Sequence, residues 1–339
     1  MSAARLDLAL DVRETSHTSA GMLAYVRALR RWLPVVAPDL AVAEFGGGDN
    51  FDLAEQVGIP ATLARLRPRL AHFPTPFVPR FVPVPHVVTV HDLIDLEFPQ
   101  YAKRKVGPYW RHIVGPVLRN ARAVITDDET TVDLLRRYLG VDPARVRVVP
   151  LGVDPPQPQP AAAVRSRPYF FYAGNHRPHK DLATLVRAWS SLPEQYDVDL
   201  VMTGSENAEL LAVGGRNARG DLVFAGECSA QDVWALHRGA VAYVHPALRE
   251  GFGLPMLEAL RAGTPVIAAS GAVPAVLSGM VDAFAPGDVA GLAWFLAFAL
   301  DGPALRALVN DATVHDAIAA LTWERTVRAT ADVYRELLA

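Results

Sequence analysis

Glu250 and Glu258 flank a run of glycine, apolar residues and proline in REGFGLPMLEAL, residues 249–260. Pro255 suits the first turn of a helix, where its missing N–H costs nothing. Gly251 and Gly253 leave the backbone before that turn bare. The unbonded N–H groups and dipole of such a helix start favour phosphate. A glycine-rich helix start is weak evidence by itself. Each glutamate also has an ordinary reading, Glu258 as a helix-favouring residue and Glu250 as a solvated loop residue. Their combination with the glycines carries the specificity.

Two further loops hold chemistry-bearing side chains. GNHRPHKD (174–181) contains Lys180, one of only three lysines beside thirty arginines. A compact ammonium kept at a strand end amid such a bias points to a specific anion contact, with a plain surface lysine as the alternative. TVHDLIDLEF (89–98) offers His91 and Asp92. A helix capped by Asp92, with His91 packed beside it, accounts for the same residues. The acidic TDDET at 126–130 reads as a capped helix start, and no Cys, His, Asp and Glu set has structural-metal spacing.

These loops follow apolar strands that alternate with helices. LDLALDV (6–12), HVVTVHD (86–92), RAVITDD (122–128) and VRVVP (146–150) form one series, with a helix expected from Gly21 to Trp32. A second series comprises YFFYAG (169–174), VDLVMTG (198–204), DLVFAG (221–226), VAYVHP (241–246) and PVIAAS (265–270), with helices at 181–191, 230–238 and 254–262. Buried strands in this alternation predict parallel sheets covered on both faces. Between the series, residues 150–168 hold six prolines in nineteen positions, which excludes a helix or central strand and predicts a linker. In such sheets ligands bind beyond the carboxyl ends of the strands. All three polar loops occupy that position.

The 339 residues are enough for about two domains of ~150 each, and 51% hydrophobic against 20% charged is an ordinary globular balance. A net charge of −3 argues against a general nucleic-acid binder. The single cysteine, Cys228, excludes an internal disulfide framework, fits a reducing cytoplasm and is expected as a small buried residue. The N-terminus shows no secretion signal. The most apolar late segment, LAWFLAFAL, has nine residues where a spanning helix needs about twenty. The sequence therefore predicts a cytoplasmic protein, with YAKRKVGPYWRHIVGPVLRNAR (101–122) as a helix face or a surface for peripheral contact with the inner face of a membrane.

EGFGLPMLEALRAGTPVIAAS resembles the Glu, seven residues, Glu motif of the retaining glycosyltransferases of family 4, the group 1 glycosyl transferases. AGNHRPHKDLATLVRAW is similar to that family's phosphate-binding loop, TVHDLIDLEFPQY to its N-domain histidine loop, and LTWERTVRATADVYREL to its closing helices. The resemblance implies the GT-B fold, two Rossmann-like doubly wound parallel-sheet domains facing across a cleft. Its parts would be an acceptor domain at 1–155 completed by the helix 323–339, a proline-rich linker at 156–167, and a nucleotide-sugar domain at 168–322. It implies a retaining hexosyltransferase of polysaccharide biosynthesis. That enzyme would need no metal or cofactor, and would use a nucleoside-diphosphate sugar and a saccharide, lipid-linked or small-molecule acceptor. Mannose from GDP-mannose is the expected sugar, because the proline-containing lysine loop is similar to that of mannosyl- and rhamnosyltransferases.

Glu250, His91 and Lys180 would be catalytic. Lys180, Arg177, Gly174, Gly251, Phe252, Gly253, Leu254 and Glu258 would bind the donor, Glu258 at the ribose and Glu250 at the sugar. His17, Gly21 and Asp92 would lie on the acceptor side. Asn175 and Ala275 stand where many relatives carry Arg and Glu. Those departures motivate the competing readings, a non-catalytic binding subunit or another enzyme of this fold such as a sugar-nucleotide epimerase.

Overall fold

A computed structural model describes residues 6–15, 18–50, 52–154, 166–214, 220–302 and 311–339. The chain divides into two compact units, Met1–Gly152 with Leu321–Ala339, and Val153–Ala320. These divisions fall a few residues from those drawn at 155 and 322. Most of the segment 156–167, read as a linker, lies outside the described residues.

The first unit is a six-stranded parallel sheet: β1 (Leu8–Asp11), β2 (Val42–Phe45), β3 (Leu70–Phe73), β4 (His86–Thr89), β5 (Ala123–Thr126) and β6 (Val146–Val148). The spatial order is β2-β1-β3-β4-β5-β6. The helix Ala20–Val36 begins at Ser19, whose hydroxyl accepts from Met22 N at 3.3 Å. It runs four residues beyond the expected Trp32 and carries Pro34 in its last turn.

The C-terminal helix Trp323–Leu338 buries Thr326, Val327, Thr330, Ala331 and Tyr334. A buried polar column ties it to the sheet, with Tyr334 Oη 2.6 Å from His72 Nδ1 and His72 Nε2 2.8 Å from Thr89 Oγ1. Burial pulls His72 down to about 3, so the ring is neutral and offers one donor and one acceptor. In the basic stretch 101–122 Trp110 belongs to the core and Tyr109 Oη accepts from Val78 N. Of its interleaved aromatics only Tyr101 is exposed.

The second unit contains β7 (Tyr169–Tyr172), β8 (Asp199–Met202), β9 (Leu222–Phe224), β10 (Ala242–His245), β11 (Val266–Ala269) and β12 (Asp282–Phe284). Their order is β12-β11-β10-β7-β8-β9, again all parallel. The helices Leu182–Ser190, Ala230–Gly239 and Leu254–Arg261 follow β7, β9 and β10. The apolar run 292–300 lies in the helix Val289–Asp301, which turns Trp294 and Phe298 outward. Among the described residues no helix is long and apolar enough to cross a membrane. Cys228 is half-buried before the helix Ala230–Gly239 rather than in the core, because its loop lies beyond the sheet edge.

Both sheets start from an inner strand and grow to either side of it. The direction of winding therefore reverses between β1 and β3, and between β7 and β10. At such a switch point the two loops beyond the carboxyl ends diverge and leave a crevice.

In the first unit Gly152 seats the start of the C-terminal helix. A Cβ there would overlap the Thr322 carbonyl and come 2.6 Å from the Thr322 Cα. Backbone cannot move aside as a side-chain tip can, so Gly152→Ala should destabilise the protein by about 1–3 kcal/mol. Denaturant unfolding followed by tryptophan fluorescence measures this, and an unchanged midpoint would mean that the helix start shifts freely.

Candidate functional site

The β7/β10 switch point brings together the two loops of the second unit that the sequence singled out. After β7 the backbone turns at Gly174 (φ 151°). A one-turn 3-10 helix, Pro178–Lys180, then ends at Asp181 in the left-handed region (φ 47°, ψ 42°). Asp181 holds this conformation while Thr184 Oγ1 donates to its carboxylate at 2.8 Å, opening the next helix. The turn directs Lys180 inward, where it is 8% exposed, and leaves Arg177 at the surface.

After β10, Leu248 N donates to His179 O at 2.9 Å and joins the loops through their backbones. Gly253 (φ 75°) precedes the helix Leu254–Arg261. The positive φ favours glycine there, and a Cβ would also press on the Met256 methyl, the movable end of its side chain. Gly251, Phe252 and Gly253 are buried and Leu254 is half-buried. In its first turn Pro255 has no N–H, and Met256 N and Leu257 N donate to Gly253 O at 2.9 and 3.3 Å. The donors facing a ligand are therefore those of Leu254 and the loop before it.

Glu250 and Glu258 are held in opposite ways. Lys180 Nζ donates to Glu250 Oε2, and His245 Nε2 lies 3.0 Å from the same oxygen. Burial alone would raise this carboxyl, but Lys180 and His245 outweigh it and hold Glu250 well below the usual carboxylate range. Among the described residues no group bonds its Oε1. Glu258 sits in the second turn of the helix, half-buried, and its carboxylate has no hydrogen bond or ion pair among the described residues. Burial pushes it up to about 7.

In the first unit His91 lies beyond β4. Its Nδ1 is 2.7 Å from Asp127 Oδ2 and its Nε2 3.2 Å from the carbonyl of Pro74, while Tyr25 meets the ring edge-on at 5.2 Å. Burial opposes a charge on His91, yet the Asp127 carboxylate overcomes this and raises it. Both nitrogens then donate, and the ring clips together the segments that follow β3, β4 and β5. Neither nitrogen is left for a substrate.

Asp127 is a correction to the reading of TDDET as a helix cap alone. The cap is Asp128, which accepts from Thr130 N at 2.9 Å, while Asp127 faces inward. Asp92 accepts from Ile94 N at 3.1 Å. Gly21 lies in the first turn of the helix Ala20–Val36, and His17 lies outside the described residues. His245 and Tyr243, buried behind Glu250, were not singled out by sequence. Their signal was a histidine as the last residue of a buried strand, in the same loop as Glu250.

Residues 155–312 match the sequence profile of glycosyl transferases group 1, and residues 31–157 that of glycosyltransferase family 4. The chain is similar to the O-antigen chain mannosyltransferase RfbU of Salmonella typhimurium, at 26% identity over 53% of this chain and 50% of the relative. It is 30% identical to a D-inositol 3-phosphate glycosyltransferase of Acidothermus cellulolyticus, over 76% of this chain and 63% of the relative. The matches thus span half to about two thirds of these relatives' lengths. The fold resembles sucrose-phosphate synthase from Thermosynechococcus elongatus, with TM-score 0.72, 21% identity, and coverage of 98% of this chain and 99% of the other. The two-sheet architecture is that of the GT-B fold.

The unpartnered Glu258 has a consequence for stability. Its folded value of about 7 exceeds its ordinary 4.5, so the folded state binds more protons between these limits. Stability therefore falls as pH rises through that window. Glu258→Gln should raise stability on the order of 2 kcal/mol at pH 8 and little at pH 4.5. Melting temperatures of both proteins at the two pH values check this, and an equal difference at both would refute it.

Proposed function

Because the chain belongs to the group 1 glycosyl transferases, we propose that it moves a hexose, mannose in the first instance, from a nucleoside-diphosphate sugar to a hydroxyl of a saccharide or lipid-linked acceptor, with retention at the anomeric carbon. The observation that carries this reading is the meeting of Lys180 and Glu250 at the β7/β10 switch point, beside a helix start whose next carboxylate, Glu258, has no partner among the described residues.

Each group has a task in this scheme. The diphosphate lies over the start of the helix Leu254–Arg261, against the backbone of Gly251 to Leu254. Lys180 gives one hydrogen to Glu250 and has two more for phosphate oxygens, and exposed Arg177 adds a second cation. Glu258 accepts from ribose hydroxyls, and Glu250 Oε1 accepts from a hydroxyl of the transferred sugar. As the bond from the anomeric carbon to the phosphate oxygen breaks, the acceptor hydroxyl forms its bond on the same face. Its proton passes to the departing phosphate. Charge developing on that phosphate meets Lys180 and the helix start, an arrangement fixed before reaction. His91 serves through the loops it clips together.

The mannosyltransferase RfbU among the relatives supports the choice of sugar. The exposed Lys103, Arg104, Lys105, Arg111, Arg119 and Arg122 support the reading of contact with an anionic membrane face from the cytoplasmic side.

The two glutamates separate this scheme from a turn and helix start with no ligand. Glu258→Gln should weaken nucleoside-diphosphate binding about tenfold by calorimetry, since an amide has one acceptor oxygen where the carboxylate had two. Glu250→Gln should lower kcat more than it lowers that affinity, because its partner is the sugar whose bond changes. Reversed effects would exchange the roles, and no effect in either variant would overturn the reading. Turnover should also survive excess EDTA; an absolute need for magnesium or manganese would contradict charge stabilisation by Lys180 and the helix start.

A further inference from the structure

Behind Glu250 runs a chain of buried polar groups that the scheme above leaves without a role. Tyr243 Oη lies 2.9 Å from His245 Nδ1 and 3.2 Å from Ala173 O at the end of β7. His245 Nε2 lies 3.0 Å from Glu250 Oε2. Tyr243 is wholly buried and His245 is 1% exposed, so neither reaches a ligand.

The proton inventory gives this chain a direction. Burial lowers His245, with Lys180 adding to that effect and Glu250 opposing it, so the ring is neutral and carries one hydrogen. Glu250 is ionised and can only accept, which puts that hydrogen on Nε2. Nδ1 must then accept, and the Tyr243 hydroxyl, kept protonated by burial, shares its one hydrogen between Nδ1 at 2.9 Å and the more distant carbonyl of Ala173 at 3.2 Å. Besides Glu250, the charged and titratable groups around the pair are Lys180, His179, Tyr172, Glu258 and His237, whose ring lies 5.0 Å from that of Tyr243. None of them bonds either ring nitrogen.

We propose that His245, locked by Tyr243 in its Nε2–H form, is the positioning residue that pins Glu250 Oε2 toward Lys180 and so presents Oε1 to the transferred sugar. Lys180 alone cannot fix the carboxylate, because a single ammonium contact leaves it free to rotate about that point. A second donor on the same oxygen from another direction sets the plane. This rests on the sugar-contacting role read for Glu250, and its structural half stands apart from it.

The test has two arms. In the first, His245→Leu should lower kcat about 10- to 100-fold while the affinity for GDP or UDP stays within threefold. His245→Gln, whose amide can reach the position of Nε2, should recover activity to within about fivefold of wild type. The second arm needs no turnover: nitrogen-15 NMR of histidine-labelled wild type should show His245 as the Nε2–H tautomer from pH 8 to 6, and Tyr243→Phe should erode that preference. Wild-type kcat in His245→Leu, equal losses in the Leu and Gln variants, or an Nδ1–H tautomer would each overturn the proposal. A wild type that turns over no donor, yet shows the Nε2–H tautomer, would instead sink the transferase reading and leave the hydrogen-bond chain standing. If His245→Leu does not fold, the Gln variant, Tyr243→Phe and the tautomer measurement decide.

Discussion

A buried carboxylate stays ionised only if its surroundings replace the water it lost, and the second unit meets that demand for Glu250 at one oxygen. Oε2 takes hydrogens from Lys180 and His245, which come from different loops and are anchored in different strands. Much of the local architecture follows from this contact. Asp181 adopts a left-handed conformation to send Lys180 inward. Gly253 takes φ 75°, a conformation that favours glycine. The backbone bond from Leu248 to His179 keeps the loops at the spacing the ion pair needs. Without the β7/β10 reversal of winding, the two loops would not meet at all.

The first unit solves the same problem at its own carboxyl edge. Asp127 is given His91, and Asp11 is given Arg13, whose guanidinium also bonds the carbonyl of Phe77 at 2.7 Å. His91 stands on a different segment from Asp127, while Arg13 lies two residues from Asp11 and reaches another segment through the Phe77 carbonyl, so both contacts also stitch loops. Breaking such a pair leaves an uncompensated buried charge, which costs more than the pair itself contributes. Among the described residues, Asp127 Oδ1 in the first unit is buried without a donor, and in the second unit Glu250 Oε1 and both carboxylate oxygens of Glu258 take no hydrogen from the protein.

The parts of this structure that were legible in sequence are those governed by local rules. Central strands such as YFFY and AVIT are apolar on both faces and could be read directly, as could the helix starts at Pro255 and Ala230. The missed strands carry weak patterns. β2 is an edge strand of mixed exposure, VAEF, and β12 is a three-residue edge strand. β3, LAHF, is fully buried, yet its histidine reads as polar until Tyr334 and Thr89 are seen to satisfy it. The glycine and lysine loops of the site were legible because their residue types are unusual in context. Asp127, Tyr243 and His245 were not, since their importance lies in partners that only the sheet order brings near. Lys180 could be singled out by composition, but its pairing with Glu250, seventy residues away, belongs to topology.

The contrast between the two glutamates bears on what the fold itself completes at this site. Glu250 has enough donors that its burial is compensated without any ligand. Glu258 is not compensated: a half-buried carboxylate with no partner is pushed up to about 7, a cost that an apolar residue or a glutamine at the same helical position would not incur. Stability alone therefore argues against a glutamate there. Under the proposed transferase reading, the group that completes this carboxylate would offer hydrogen-bond donors close to an anion-favouring helix start. A hydroxylated ring carrying a diphosphate has both features in one molecule. The uncompensated carboxylate thus carries more information about the ligand than the well-paired one, because its satisfaction is the part of the site that the fold leaves undone.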